Sequence, residues 1–468
     1  MFIGRKYELN ELETLYHSDT FQMPVIYGRR RVGKSTIIRE FTKDKKCIFY
    51  TAIESGSQRN LELFSAAIYQ SLMPEMEGLP PFTKYEDAFA FINRAAKKER
   101  LILVIDEYPY LAKSEKSISS LLQKHIDEYF KDSKLFLILC GSSMSFMEHQ
   151  VLGYQSPLYG RRTAQFFIRP FDYLTSAQFI PNYCEEDKAI VYGITGGIPK
   201  YLELFDEKKN LRENIIALFL KENGYLFEEP ANLLKQELRD ASRYNSVIEA
   251  IAAGATKVSE IAGKAGLDVS AASHCLESLI ELGIVSKESA VTEENNKKKT
   301  YYSISDAMFR FWYRYIPGGM DVILSKNGEY LYDEVIAETI SDYMGIVFEQ
   351  MCRQYLLRVN KENMLPLKIL NVGRWWGNNP DKKREEEIDI VAYNMLKKQA
   401  LFGECKFRNE LLGTEVFDSL QEKAALLKAF SEKTFCLFSK SGFTESLKQK
   451  ASKSVWLVSL KDMYVIED

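Results

Sequence analysis

The stretch Gly28-Arg29-Arg30-Arg31-Val32-Gly33-Lys34-Ser35, followed by Thr36, carries the spacing Gly-x-x-x-x-Gly-Lys-Ser. That spacing suits phosphate binding. The glycines let successive backbone N–H groups turn inward toward phosphate oxygens, the lysine reaches the β- and γ-phosphates, and the serine hydroxyl is placed for Mg²⁺. A second candidate is Asp106-Glu107, which closes the apolar run Leu101–Ile105. A buried parallel strand ending there delivers two carboxylates to a ligand-binding edge, Asp106 to hold Mg²⁺ and Glu107 to orient or deprotonate water.

Two weaker candidates follow. Leu135–Cys140 is another apolar run, and Gly141-Ser142-Ser143 after it either senses a γ-phosphate or its water, or is a plain turn. Arg161 and Arg162 after Gly160 offer a guanidinium finger to a nucleotide, or form a solvated basic turn. The spacing does not separate these readings.

The C-terminal third holds a second set. Glu387-Ile388-Asp389-Ile390 and Gly403-Glu404-Cys405-Lys406 both alternate, so each strand shows its charged residues on one face. One strand exposing an acid beside another exposing Glu-x-Lys is a metal-nuclease arrangement. Asp389 and Glu404 hold Mg²⁺ and Lys406 positions a nucleophile, unless these are surface charges on two half-exposed strands.

The elements that must position these residues are readable in outline. Val25–Tyr27, 46–51, 101–105 and 135–140 have strand length and composition, with helices expected after Lys34 and over 57–74 and 85–98. From Phe171 to about Leu238 the pattern is helical, and Gly196-Gly197 before Pro199 serves as a hinge or as a helix stop. Residues 243–285 read as three short helices with Asp268 as an N-cap, then two strands around Thr292–Lys299, which makes a winged helix-turn-helix. Its third helix is poor in base-reading side chains over Val269 to His274, and Lys297–Lys299 is either a phosphate contact or a solvated loop. The aromatic helix Asp306–Ile316 serves packing.

The 468 residues exceed one core, and 46% hydrophobic with 27% charged content is that of a globular protein. A net charge of −3 excludes a general polycation, so any nucleic-acid contact is local. Seven scattered cysteines without a Cys-x-x-Cys pair, no signal-like start, and apolar runs too short for a bilayer point to a cytoplasmic protein without a membrane segment.

Gly4-Arg5, the Gly28–Ser35 loop, Asp106-Glu107, Cys140–Ser143, Tyr159–Arg162 and Gly196–Tyr201 together resemble the archaeal-type ATPase family, a prokaryotic branch of P-loop ATPases near the STAND group. The resemblance implies ATP as nucleotide and an additional-strand sheet. Asp389, Glu404 and Lys406 resemble the Asp…Glu-x-Lys core of restriction-endonuclease-like domains. In that comparison Glu349 matches the helical acid before the core, a further metal ligand, and Gln421 the supporting glutamine. The expected fold is α/β: a P-loop ATPase core over 1–170, a helical lid over 171–240, a winged helix over 241–318 and a restriction-endonuclease-like domain over 319–468. The implied partners are ATP, Mg²⁺, DNA and a second copy of the chain. The rival expectation is an ATP-driven switch whose nuclease-like site is silent and whose partners are proteins.

Overall fold

The computed structural model describes residues 2–76, 78–292 and 300–465. The chain divides into two compact units, Met1–Pro170 with Ile198–Lys200, and Phe171–Gly197 with Tyr201–Asp468.

The first unit is built on β1 (Pro24–Tyr27), β2 (Cys47–Thr51), β3 (Leu101–Asp106), β4 (Leu135–Gly141) and β5 (Ala164–Phe167), in the order β2-β3-β4-β1-β5. Every pairing is parallel. β4 lies between β1 and β3, which is the additional strand expected from the resemblance. The runs are continuously apolar because each face needs a core. Val25, Leu103, Ile105, Leu137 and Leu139 enter one cluster, while Ile26, Ile102, Val104, Phe136 and Ile138 enter another with Ile37, Ile38 and Phe41. That alternation fixes the chemistry, since Asp106 has the parity of Ile102 and Val104 and so faces the helix Lys34–Thr42.

In the second unit Glu185–Thr195 ends at Gly196, whose φ is 61°, and a Cβ on Gly197 would meet the Phe171 carbonyl oxygen at 2.0 Å. These glycines stop one helix before Pro199 opens the next. The helices Ala241–Ala252, Val258–Ala265 and Val269–Glu281 precede the antiparallel pair β6 (Val285–Ser289) and β7 (Thr300–Ile304), the expected winged helix. Asp268 caps the third helix, accepting from Ala271 N at 2.8 Å. The Lys297–Lys299 expectation falls outside the described residues.

The remaining sheet comprises β8 (Asn371–Asn379), β9 (Arg384–Asn394), β10 (Gln399–Lys406), β11 (Glu432–Ser439) and β12 (Val455–Ser459), adjacent in that order. β8, β9 and β10 are antiparallel neighbours, whereas β10, β11 and β12 run parallel. The long helix Ala337–Lys361 and the helix Thr414–Ala425 belong to the same unit. The aromatic helix Ala307–Tyr315 buries Phe309, Phe311, Tyr313 and Tyr315, so its rings are packing.

Candidate functional site

Because β1, β3 and β4 are parallel, Gly28, Glu107 and Ser142 each stand one residue beyond a strand at the same sheet edge. Gly28 has φ 152°, and a Cβ there would meet the Ile168 carbonyl oxygen at 2.5 Å. Arg31 also has positive φ, and Gly33, at φ 88°, starts the helix Lys34–Thr42 without a capping side chain. The helix N–H groups are therefore left for a ligand in this cradle. Lys34 is buried, and its Nζ donates to the carbonyls of Gly28 and Arg29, each at 2.9 Å. Burial lowers its pKa, against the pull of Cys140, Glu107 and Asp106 nearby. A displaceable ammonium beside an uncapped helix start fits a nucleoside triphosphate.

Ser35 Oγ donates to Asp106 Oδ2 at 2.8 Å, which sets a hydroxyl beside a carboxylate at the strand end. Glu107 lies in the left-handed region at φ 52°, and its Oε2 accepts from Ser142 Oγ at 2.9 Å and Ser142 N at 3.3 Å. Ser142, not Ser143, is thus the strand-end serine joined to the acid. Cys140 is buried behind Asp106, and burial drives its thiol well above the ordinary value.

The rest of the loop is held from outside. Arg30 donates to Tyr110 OH at 3.1 Å, and Arg5 donates to the carbonyls of Val32 at 3.1 Å and Arg169 at 2.7 Å. Ile198–Lys200 also join this unit, with Lys200 N donating to Arg31 O at 3.5 Å. Thr36 is exposed on the helix. Arg5 and Lys200 belong to the Gly4-Arg5 and Gly196–Tyr201 segments of the family resemblance, and their contacts with the loop are not readable from spacing because the segments are distant in sequence.

Arg161 and Arg162 lie outside the phosphate-loop cradle of their own chain. Thr163 N donates to Met23 O, and Ala164 pairs with Pro24, so the arginines lie at the start of β5, at the edge opposite the phosphate loop. Arg161 grips Asp127 at 2.6 and 3.1 Å, and Arg162 donates to Leu152 O at 3.2 Å. Neither meets this chain's own phosphate loop.

At the C-terminal centre β9 and β10 bring Asp389, Glu404 and Lys406 together. Asp389 Oδ2 accepts from Cys405 N at 2.8 Å, and Lys406 Nζ lies 2.7 Å from Glu404 and 3.5 Å from Asp389. Burial disfavours the Lys406 charge, but Asp389 and Glu404 outweigh it and raise its pKa. Lys423, which motif reading missed, reaches Glu404 at 3.3 Å from the helix Thr414–Ala425. Gln421 is exposed and makes no such contact, because two residues turn it to another helix face.

Glu349 is a correction. It pairs with Arg353 at 3.4 Å and Arg374 at 3.2 Å rather than joining a ligand set, and among the described residues no cluster of three or more His, Cys, Asp or Glu is placed to hold a metal. Burial pushes its carboxyl up to about 7. With two ammonium groups on Glu404, the centre as arranged does not fit a divalent cation.

Residues 2–205 match an ATPase domain predominantly from Archaea, residues 241–289 an IclR helix-turn-helix domain, and residues 312–424 a family of archaeal and bacterial proteins of unknown function. The chain is 34% identical over 409 residues to the uncharacterized protein MJECL04 of Methanocaldococcus jannaschii, covering 87% of this chain and 88% of that one. It is 24% identical to the uncharacterized ATP-binding protein PYRAB12000 of Pyrococcus abyssi, over 45% of this chain and 72% of that one. Among solved structures it is similar in fold to the Walker-type ATPase paby2304 of Pyrococcus abyssi, with a TM-score of 0.52 and 20% identity over 67% of this chain and 96% of that chain. Among the described residues no helix is long and apolar enough to cross a membrane.

Proposed function

Since the chain belongs to the archaeal ATPase family, we propose that it binds ATP at the Gly28–Ser35 loop, hydrolyses it with Mg²⁺, and uses nucleotide state to govern a DNA-directed C-terminal half. The observation that carries this reading is the shared sheet edge, where Lys34, the Ser35–Asp106 pair and the Glu107–Ser142 pair stand together.

In this reading the N–H groups of the loop and of the helix start bind the phosphates, and Lys34 leaves the Gly28 and Arg29 carbonyls for the β- and γ-phosphate oxygens. Ser35 and Asp106 would hold Mg²⁺. The chemistry such a cation supplies is charge withdrawal from the transferred phosphoryl group. Glu107 Oε2, fixed by Ser142, accepts a proton from water or orients it for in-line attack. A finger from Arg161 or Arg162 would be given to a neighbouring copy, which makes self-association part of the proposal.

We read the four parts as core, lid, winged helix and restriction-endonuclease-like domain, in a cytoplasmic protein. The mixed sheet with Asp389, Glu404 and Lys406 on adjoining strands supports the last part, and the winged helix supports a DNA partner. A second reading, a nucleotide switch with a silent C-terminal centre and protein partners, is favoured by Lys423 lying on Glu404. The experiment is cleavage of linear, circular and single-stranded DNA across several divalent metals, with and without ATP, in wild type, Lys34→Ala and Asp389→Ala. Cleavage lost in Asp389→Ala and altered in Lys34→Ala upholds coupling; ATP turnover without cutting transfers the assignment to the switch.

A further inference from the structure

On the helix Ala307–Tyr315, Arg310 and Arg314 are four residues apart and share a face. On Ala337–Lys361, Ile346, Gln350 and Arg353 recur at helical spacing. These faces, with the wing strands β6 and β7 and Arg374 of β8, enclose a cleft of about 370 Å³ within the second unit. That is the size of a small-molecule site, roughly 300–1,000 Å³.

Four guanidiniums line the cleft, against two carboxylates, Glu288 and Asp342. Arg374 is engaged by Glu349 and Glu387. Among the described residues Arg353 has only Glu349, at 3.4 Å, and its buried Nε has no acceptor. Arg310 gives one N–H to the Ile304 carbonyl at 3.4 Å, lies over the Tyr343 ring, and keeps Nε and Nη2 buried without acceptors. Arg314 is exposed and pairs with no carboxylate among the described residues. The unpartnered nitrogens are themselves buried, while Arg314 is exposed and Arg353 and Arg374 are partly open to solvent. Four planar forks lining one cleft, beside the apolar wall of Tyr302 and Ile346, suit an oxyanion carried on a larger body.

We infer that this cleft is a second phosphate-ester site, separate from the phosphate loop, which takes one nucleotide unit with its phosphate on the arginines and its body against Tyr302 and Ile346. The unit is either a free nucleotide or one residue of a nucleic-acid strand, and both present the same phosphate chemistry.

The test uses the full chain carrying Lys34→Ala to disable the phosphate loop, alone and combined with Arg314→Ala or Arg353→Lys. Arg314 is exposed, so its truncation leaves packing in place, and Arg353→Lys keeps the charge but loses the fork. AMP and a short 5′-phosphorylated oligothymidylate are titrated calorimetrically. One-to-one binding of either probe, weakened about tenfold by each arginine change, is expected. Binding of AMP assigns a free nucleotide, and binding of the oligothymidylate alone assigns a strand. Binding of neither probe, or binding that both arginine changes leave unaltered, overturns the site.

Discussion

The molecule buries charge at two centres and handles it in opposite ways. At the phosphate loop the acids are held by hydroxyls and amides, Asp106 by Ser35 and Glu107 by Ser142, while Lys34 rests on carbonyls. Cation and anions are kept apart, so a ligand finds both unspent. At the C-terminal centre Lys406 and Lys423 lie directly on Glu404, and two arginines clamp Glu349. Charges spent on one another in this way leave little for a ligand. The first centre is sorted for binding, and the second is closed on itself.

The comparison is broken most severely by filling the cradle. Gly28→Ala sets a Cβ 2.5 Å from the Ile168 carbonyl oxygen at a positive φ, so both the space and the backbone resist it. Nucleotide affinity, measured by equilibrium titration, is expected to fall by about 100-fold or more.

The second prediction concerns pH. Burial holds Glu349 up at about 7 from an ordinary 4.5, so between these values the folded chain keeps a proton that the unfolded chain releases. The stability contribution is full below about 4.5 and is lost as pH rises through about 7. Glu349→Gln removes that loss, a difference on the order of 3 kcal/mol above pH 7, read from denaturant midpoints across pH.

Opening the closed centre is the third. Lys423→Ala frees one side of Glu404 and is expected to raise Mn²⁺ affinity about tenfold, measured by electron paramagnetic resonance. No change would mean that Lys406 alone holds the centre shut.

The smallest effect belongs to Arg161. Arg161→Ala removes the partly exposed grip on Asp127 and is expected to cost about 0.5–1 kcal/mol, read from thermal unfolding. ATP turnover in dilute solution, where no neighbour supplies an arginine, is expected to stay within about twofold.

Much of the first centre was legible because its logic is local. Continuous apolar runs ending in Asp106-Glu107 and Gly141-Ser142, with the glycine spacing before Lys34, specify strands and the edge at which they end. The position of Arg161 and Arg162 was not read, since β5, a run of only Ala164–Phe167, escaped notice, and residues before a parallel strand fall at the opposite edge. At the C-terminal centre Asp389, Glu404 and Lys406 announced themselves by alternation. Their counter-ions did not, because Lys423 and Arg374 reach them from elements whose approach depends on packing. One signal was available: Lys423 sits between the buried helix positions Leu420 and Ala424.

The central claim is that the phosphate-loop edge hydrolyses ATP with Glu107 acting on water. The most direct measurement is ATP binding and Mg²⁺-dependent turnover, side by side, in wild type, Lys34→Ala and Glu107→Gln. The account predicts that Glu107→Gln binds ATP as wild type does but turns over about 10²–10³-fold more slowly, while Lys34→Ala loses binding as well. Undiminished turnover in Glu107→Gln would contradict it.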